Sequence, residues 1–99
     1  MSTQKEFADF ILDQYHNEHL WYRAMFGEYA LYYDKKVVGL ICNDTLYLKI
    51  TPANQILLAD NETGPAYPKA KPSYLISESQ LEDSDFLNEV TLNVFNDLK

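Results

Sequence analysis

Between residues 28 and 50 the chain reverses twice, with too few residues in each turn for anything but antiparallel pairing. Glu28 to Tyr33 places Tyr29, Leu31 and Tyr33 on one side and Ala30 and Tyr32 on the other. Asp34-Lys35-Lys36 breaks that alternation, and Val37 to Cys42 is a β-branched and apolar run. Asn43-Asp44 then supplies two residues that tolerate the positive φ of a tight hairpin turn. Thr45 to Ile50 resumes with Leu46, Leu48 and Ile50 inward and Tyr47 and Lys49 outward. A parallel crossover needs about a dozen residues or more, so the three segments form an antiparallel meander.

The flanks supply what such a sheet packs against. Thr3-Gln4-Lys5-Glu6 has the capping-box form, and Phe7, Phe10, Ile11 and Tyr15 follow at helical spacing. A first helix is expected over about residues 4–17. Pro52 stops the third strand, and Ala53 to Ala59 has the length of a two-turn helix. Asn61 to Pro72, with three of the four prolines, reads as a long surface loop. Ser73 to Ser77 alternates as one further strand, with Tyr74 and Ile76 opposing Leu75. Ser84 or Asp83 caps a last helix whose stripe is Phe86, Leu87, Val90, Val94 and Leu98. The fold class expected is α+β, an antiparallel sheet with N- and C-terminal helices in the order α-β-β-β-α-β(-β)-α.

Composition narrows the function classes. A chain of 99 residues with 46% hydrophobic and 23% charged residues suits one folded domain over residues 1–99, not a disordered tail. Its single cysteine, Cys42, permits no internal disulfide, and no apolar run approaches the roughly 20 residues of a membrane helix. A cytoplasmic protein is expected. Eight Lys+Arg against 15 Asp+Glu give a net charge of −7, which disfavours direct nucleic-acid binding. That charge is uneven: residues 1–36 carry −2, residues 37–74 are neutral and residues 75–99 carry −5. Nucleic-acid binding is therefore disfavoured strongly at the C-terminal segment and only moderately at the aromatic sheet.

Tyr22-Arg23-Ala24-Met25-Phe26-Gly27-Glu28-Tyr29-Ala30-Leu31-Tyr32-Tyr33 resembles the R-x-M-F-G-x-Y-x-L-Y opening of the TfoX/Sxy N-terminal domain. The resemblance continues through Val38 to Thr51, an apolar strand, a polar turn and a strand of the L-Y-L-K type. It reaches Tyr67-Pro68-Lys69-Ala70-Lys71-Pro72, similar to the family's P-x-x-A-K-P loop, and the capped helix of Asp83 to Leu98. It implies a secretion-chaperone-like arrangement and a link to competence regulation, in which two-domain members act as transcriptional co-activators. Those regulators carry a second, C-terminal domain, whereas this chain ends at Lys99, so a stand-alone N-terminal domain is expected. The family has no recognised active site, and the resemblance supplies no catalytic residue.

Read one by one, the reactive residues favour structural roles. His16 and His19 stand at i, i+3 but have no third metal ligand nearby, so no metal is expected. Cys42, ending an apolar strand, reads as a small buried hydrophobe rather than a nucleophile. Glu82, Asp83, Asp85 and Glu89 read as a cap and a solvated helix face. The phosphate loop, the nucleophile elbow and the zinc-protease helix are missing from the sequence, so neither catalysis nor a cofactor is expected. What remains is a protein-binding surface. Tyr and Arg are enriched at interface hot spots, and Arg23, Tyr29, Tyr32 and Lys49 cluster if the strands pair as expected. Arg23 and Glu28 bracket Gly27 and serve either as a binding pair or as an internal ion pair shaping the start of the strand. Lys69 and Lys71 on the proline-rich loop form a second candidate surface. The expected partner is a protein, transcription-associated or a second copy in a homodimer, with no membrane contact. The alternative is a small-molecule-binding or enzymatic cleft between the sheet and the first helix.

Overall fold

Antiparallel pairing extends on both sides of the expected meander. The computed structural model describes residues 4–98. It contains α1 (Lys5–Tyr15), β1 (Leu20–Met25), β2 (Glu28–Tyr33), β3 (Lys36–Cys42), β4 (Thr45–Lys49), β5 (Thr63–Pro65), β6 (Pro72–Ile76), α2 (Glu78–Leu81) and α3 (Ser84–Asp97). The strands form one antiparallel sheet in the order β1-β2-β3-β4-β6-β5. The class is α+β, as expected. The element order differs in three places: β1 precedes the meander, the segment after β4 is not a regular helix, and the short helix α2 stands between the last strand and α3. β5 takes the place of the optional second strand but lies inside the stretch read as a loop.

β1 and β2 join through Phe26-Gly27, β3 and β4 through Asn43-Asp44, and both turns carry positive φ at both central residues. Such turns match the right-handed twist of the strands they connect. Between β2 and β3 the register shifts at Leu31/Tyr32, so β3 bulges and brings Val38 into the core. Gly39 follows the bulge; a Cβ there would stand 2.3 Å from the Tyr47 carbonyl oxygen of β4. Only glycine allows the two backbones this approach.

The inner face carries Leu31, Ile41, Leu46 and Leu48, all fully buried with Ala8, Ile11 and Tyr15 of α1 and Leu87, Val90 and Val94 of α3. On α1 the buried stripe is Ala8, Ile11 and Tyr15, while Phe10 is 41% exposed, so the expected Phe7-Phe10 side is only partly covered. Thr3 of the expected capping box lies outside the described residues, and Gln4 is the residue before the helix. The Tyr15 hydroxyl bonds Thr91 at 2.8 Å, a buried polar contact tying α1 to α3. Burial pushes that phenol well above its ordinary pKa. The Tyr22 hydroxyl donates to Asp9 at 2.5 Å and Lys5 donates to the same carboxylate at 2.9 Å. The Tyr22 hydrogen bond first, then the Lys5 hydrogen bond and charge, hold Asp9 below the usual carboxylate range.

Asp83 caps α3 as expected, accepting from the Phe86 amide at 3.1 Å. A second cap is present at Ser77, where Ser77 and Gln80 form a complete capping box at the start of α2. Its signal, Ser-x-x-Gln ahead of Leu81, is in the sequence. Residues 52–59 form a single 3-10 turn at Pro52–Asn54 followed by loose turns. Isolated two-turn helices are unstable without packing, and Ile56 is 89% exposed here. What anchors the segment is Asn54, fully buried, donating to the Val90 carbonyl at 2.8 Å and accepting from Asn93 at 3.0 Å. Ile50, expected inward, lies past the end of β4 and is 44% exposed.

Candidate functional site

Helices cover one side of the sheet and leave the other to the loop of residues 66–71. Cross-strand register places Arg23, Ala30, Leu40, Tyr47 and Leu75 in one row across this outer face. Trp21, Tyr32 and Val37 form the neighbouring row. Trp21 stacks on Tyr32 with ring centroids 4.2 Å apart, and its indole N–H donates to the Asp34 carbonyl at 2.7 Å. Cys42, Tyr47 and Ala66 are buried together with Leu40 and Leu75 against them, so the loop covers the middle of the face. Tyr47, expected outward, is on the outer side but is sheltered there.

Two hollows flank that cover. One, of about 480 Å³, is lined by Met25, Phe26, Glu28, Tyr29, Leu40, Cys42 and Tyr67. The other, of about 500 Å³, takes in Lys49, Lys69 and Lys71 with Ile50 and Pro72. Leu40 and Tyr67 line both, so the two hollows adjoin and are together called the outer groove. Phe26 is 99% exposed and sits at φ 52. A bulky side chain at positive φ is strained by about 1 kcal/mol or more, and exposure in water gives nothing back. Such outliers concentrate where function requires them.

The expected residues are distributed accordingly. Lys49, Lys69 and Lys71 converge on one hollow, because β6 pairs with β4 and brings the loop beside Lys49. Arg23 and Tyr32 lie on the same outer face, with β3 between them and Lys49. Tyr29 does not join them: it points inward, edge-on to Tyr22 with centroids 4.9 Å apart, and only borders the first hollow. Glu28 lines that hollow, opposite Met25 in register and diagonal to Arg23. Sequence reasoning missed Phe26, Met25 and Tyr67 as surface residues. The available signal was a Phe in the first central position of a Phe26-Gly27 turn, where Asn or Gly is usual.

Cys42 is 3% exposed, and burial together with the Glu28 charge pushes its thiol up to about 11, so at neutral pH it is a thiol packed in the outer cluster. His16 ends α1 in the left-handed conformation, and His19 bonds Asp34 at 2.8 Å while stacking on Tyr33. Among the described residues no group of three His, Cys, Asp or Glu side chains is placed to hold a metal ion. The space between the sheet and α1 is filled by Ala8, Ile11, Tyr15, Leu20 and Leu31, so the cleft expected there as the alternative is closed. No helix among the described residues is long and apolar enough to cross a membrane.

Fold and site define an α+β domain that buries one sheet face under helices and offers an aromatic, lysine-bordered groove on the other. The chain belongs to the TfoX N-terminal domain family, whose sequence profile matches residues 15–92. It is also similar to a protein of Spirochaeta aurantia described as an uncharacterised 12.7 kDa protein in the trpE 5′ region. The two are 40% identical over 86 residues, which covers 85% of this chain and 73% of that relative.

Proposed function

We propose that this chain is a non-enzymatic, cytoplasmic binding module that docks a protein partner on the outer face of its sheet. The observation that carries the reading is Phe26, an almost fully exposed aromatic side chain held at positive φ on the rim of an apolar hollow. An exposed aromatic anchor beside a concave apolar surface is how interface hot spots are built. Trp21 and Met25, 42% and 41% exposed on the same face, enlarge the surface available to a partner. The resemblance of the Arg23 to Tyr32 segment to competence regulators directs the search to transcription-associated proteins.

The test is site-specific photocrosslinking in cells. A crosslinker in place of Phe26 is expected to capture one defined partner, and a crosslinker in place of Glu89, exposed on α3, is expected to capture none. Equal capture from both positions, or none from Phe26, overturns the reading.

A further inference from the structure

We propose that the occupant of the outer groove is an extended acidic peptide segment with an aromatic or aliphatic anchor residue at one end. Its carboxylates lie along Lys49, Lys69 and Lys71, and its anchor enters the hollow bordered by Met25, Phe26, Leu40 and Tyr67. This deepens, and rests on, the reading of the outer face as a docking surface.

Charge is the first reason. The chain carries only eight basic residues against 15 acidic ones, yet three of the eight line a single hollow. Among the described residues no carboxylate lines that hollow. Three like charges gathered in a protein of net charge −7 repel one another and are relieved by an anionic ligand.

Placement is the second reason, because the lysines are set by backbone rather than scattered. Lys49 is on β4 opposite Ser73. Lys69 is held at φ 71 in a turn closed by the Ala70 amide bonding the Tyr67 carbonyl at 3.0 Å. Lys71 precedes Pro72, which biases it to extended backbone. The backbone therefore places all three lysines around the hollow that Ile50 and Pro72 also line.

The third reason is that neither half of the groove suffices alone. An exposed Lys–carboxylate pair contributes roughly twofold to fivefold in affinity, so three of them need a second source of binding. The adjoining hollow of about 480 Å³ supplies it, with room for one large apolar side chain. A polynucleotide fits less well. Its phosphates would continue past the lysines toward Glu28, which borders the apolar hollow, and the groove presents Lys in place of the Arg forks that grip phosphate bidentately.

The experiment is an NMR titration of the full ¹⁵N-labelled chain with three probes: acetyl-Phe-Gly-Glu-Glu-Glu-Glu-amide, the same peptide with Lys for Glu, and oligothymidylate. The acidic peptide is expected to shift the amides of Leu40, Lys49, Tyr67 and Lys71, and its binding to weaken as salt is raised. Reversing the three charges together (Lys49→Glu, Lys69→Glu, Lys71→Glu) is expected to weaken that peptide by about tenfold or more. The same variant, its fold checked from the unshifted core amides, is expected to gain binding to the lysine peptide with shifts confined to the same groove amides, whereas an unfolded polyanion would show no dispersed groove resonances to shift. Absence of shifts with the acidic peptide, shifts outside the groove, or stronger binding of oligothymidylate or the lysine peptide to the unaltered chain overturns the acidic occupant. If the Phe26 crosslinker nevertheless captures a partner, the docking surface stands and only its acidic specificity falls; if neither experiment succeeds, both readings fall.

Discussion

On the inner face of the sheet Leu31, Ile41, Leu46 and Leu48 are completely buried beneath α1 and α3, whereas on the outer face Trp21, Met25 and Phe26 stand 42%, 41% and 99% exposed. The same strands build both faces, since successive side chains alternate. The inner side chains gain from leaving water, and their shapes are dictated by their neighbours. The outer aromatics meet solvent, and one of them occupies a backbone conformation that favours almost any turn residue over Phe. The two turns at one end of the sheet sharpen the contrast. Asn43-Asp44 and Phe26-Gly27 adopt the same positive-φ geometry, but only the first uses a residue suited to it at both positions. The difference teaches that folding accounts for the inner face and leaves part of the outer face unexplained.

The largest effect that tests this contrast is at Leu48. Leu48→Ala opens a cavity in the filled inner layer and is expected to cost about 3 kcal/mol in denaturant unfolding. Leu40→Ala, on the outer face and bordering the open groove, is expected to cost about 1 kcal/mol or less, since less contact is lost. Equal losses would mean that the outer face is packed as tightly as the inner. Gly39→Ala comes next. Its Cβ collides with the Tyr47 carbonyl, so a destabilisation of about 2 kcal/mol is expected, with disturbed amide shifts in β3 and β4.

Phe26→Asn reverses the sign. An Asn-Gly pair is the favoured sequence for this turn, so the substitution is expected to stabilise the protein by about 1 kcal/mol while removing the capture read from a crosslinker in place of the neighbouring Met25. A loss of stability would show that Phe26 contributes to folding after all. The smallest effect is at His19, whose hydrogen bond to Asp34 and that carboxylate's charge raise its pKa above 6.5. A group with a raised folded-state pKa contributes fully below its unfolded value and loses that contribution as pH rises through the folded value. Stability is therefore expected to decline slightly as pH rises above about 6.5, and His19→Gln to flatten that slope. An NMR titration of the ring should give the raised value directly.

Much of the sheet was legible because alternation and turn chemistry agree over residues 28–50. β1 escaped because Leu20 to Met25 mixes aromatic and apolar residues on both faces, with Trp21 and Tyr22 adjacent. β5 escaped because it has three residues and ends in Pro65, features that read as loop. The helix expected over 53–59 failed because Asn54 turns its amide to the Val90 carbonyl of α3, a partner 36 residues away. At the site, the residue types of interest were visible, but not which of them meet. Tyr29 and Tyr32 were separable by parity, yet the convergence of Lys49 with Lys69 and Lys71 requires the pairing of β4 with β6.

The net charge of −7, the antiparallel meander, the caps and stripe of the last helix, and membership signalled by the Arg23 to Tyr32 segment were all determined by the sequence itself. Each depends on neighbours a few residues apart, where propensity and spacing act directly. Tertiary structure alone decided that helices cover one face only, that the space beside α1 is filled, and that three lysines share a groove with Phe26, Leu40 and Tyr67 at its apolar end. Those facts depend on strand order and on which long-range surfaces exclude water, quantities that no local pattern carries.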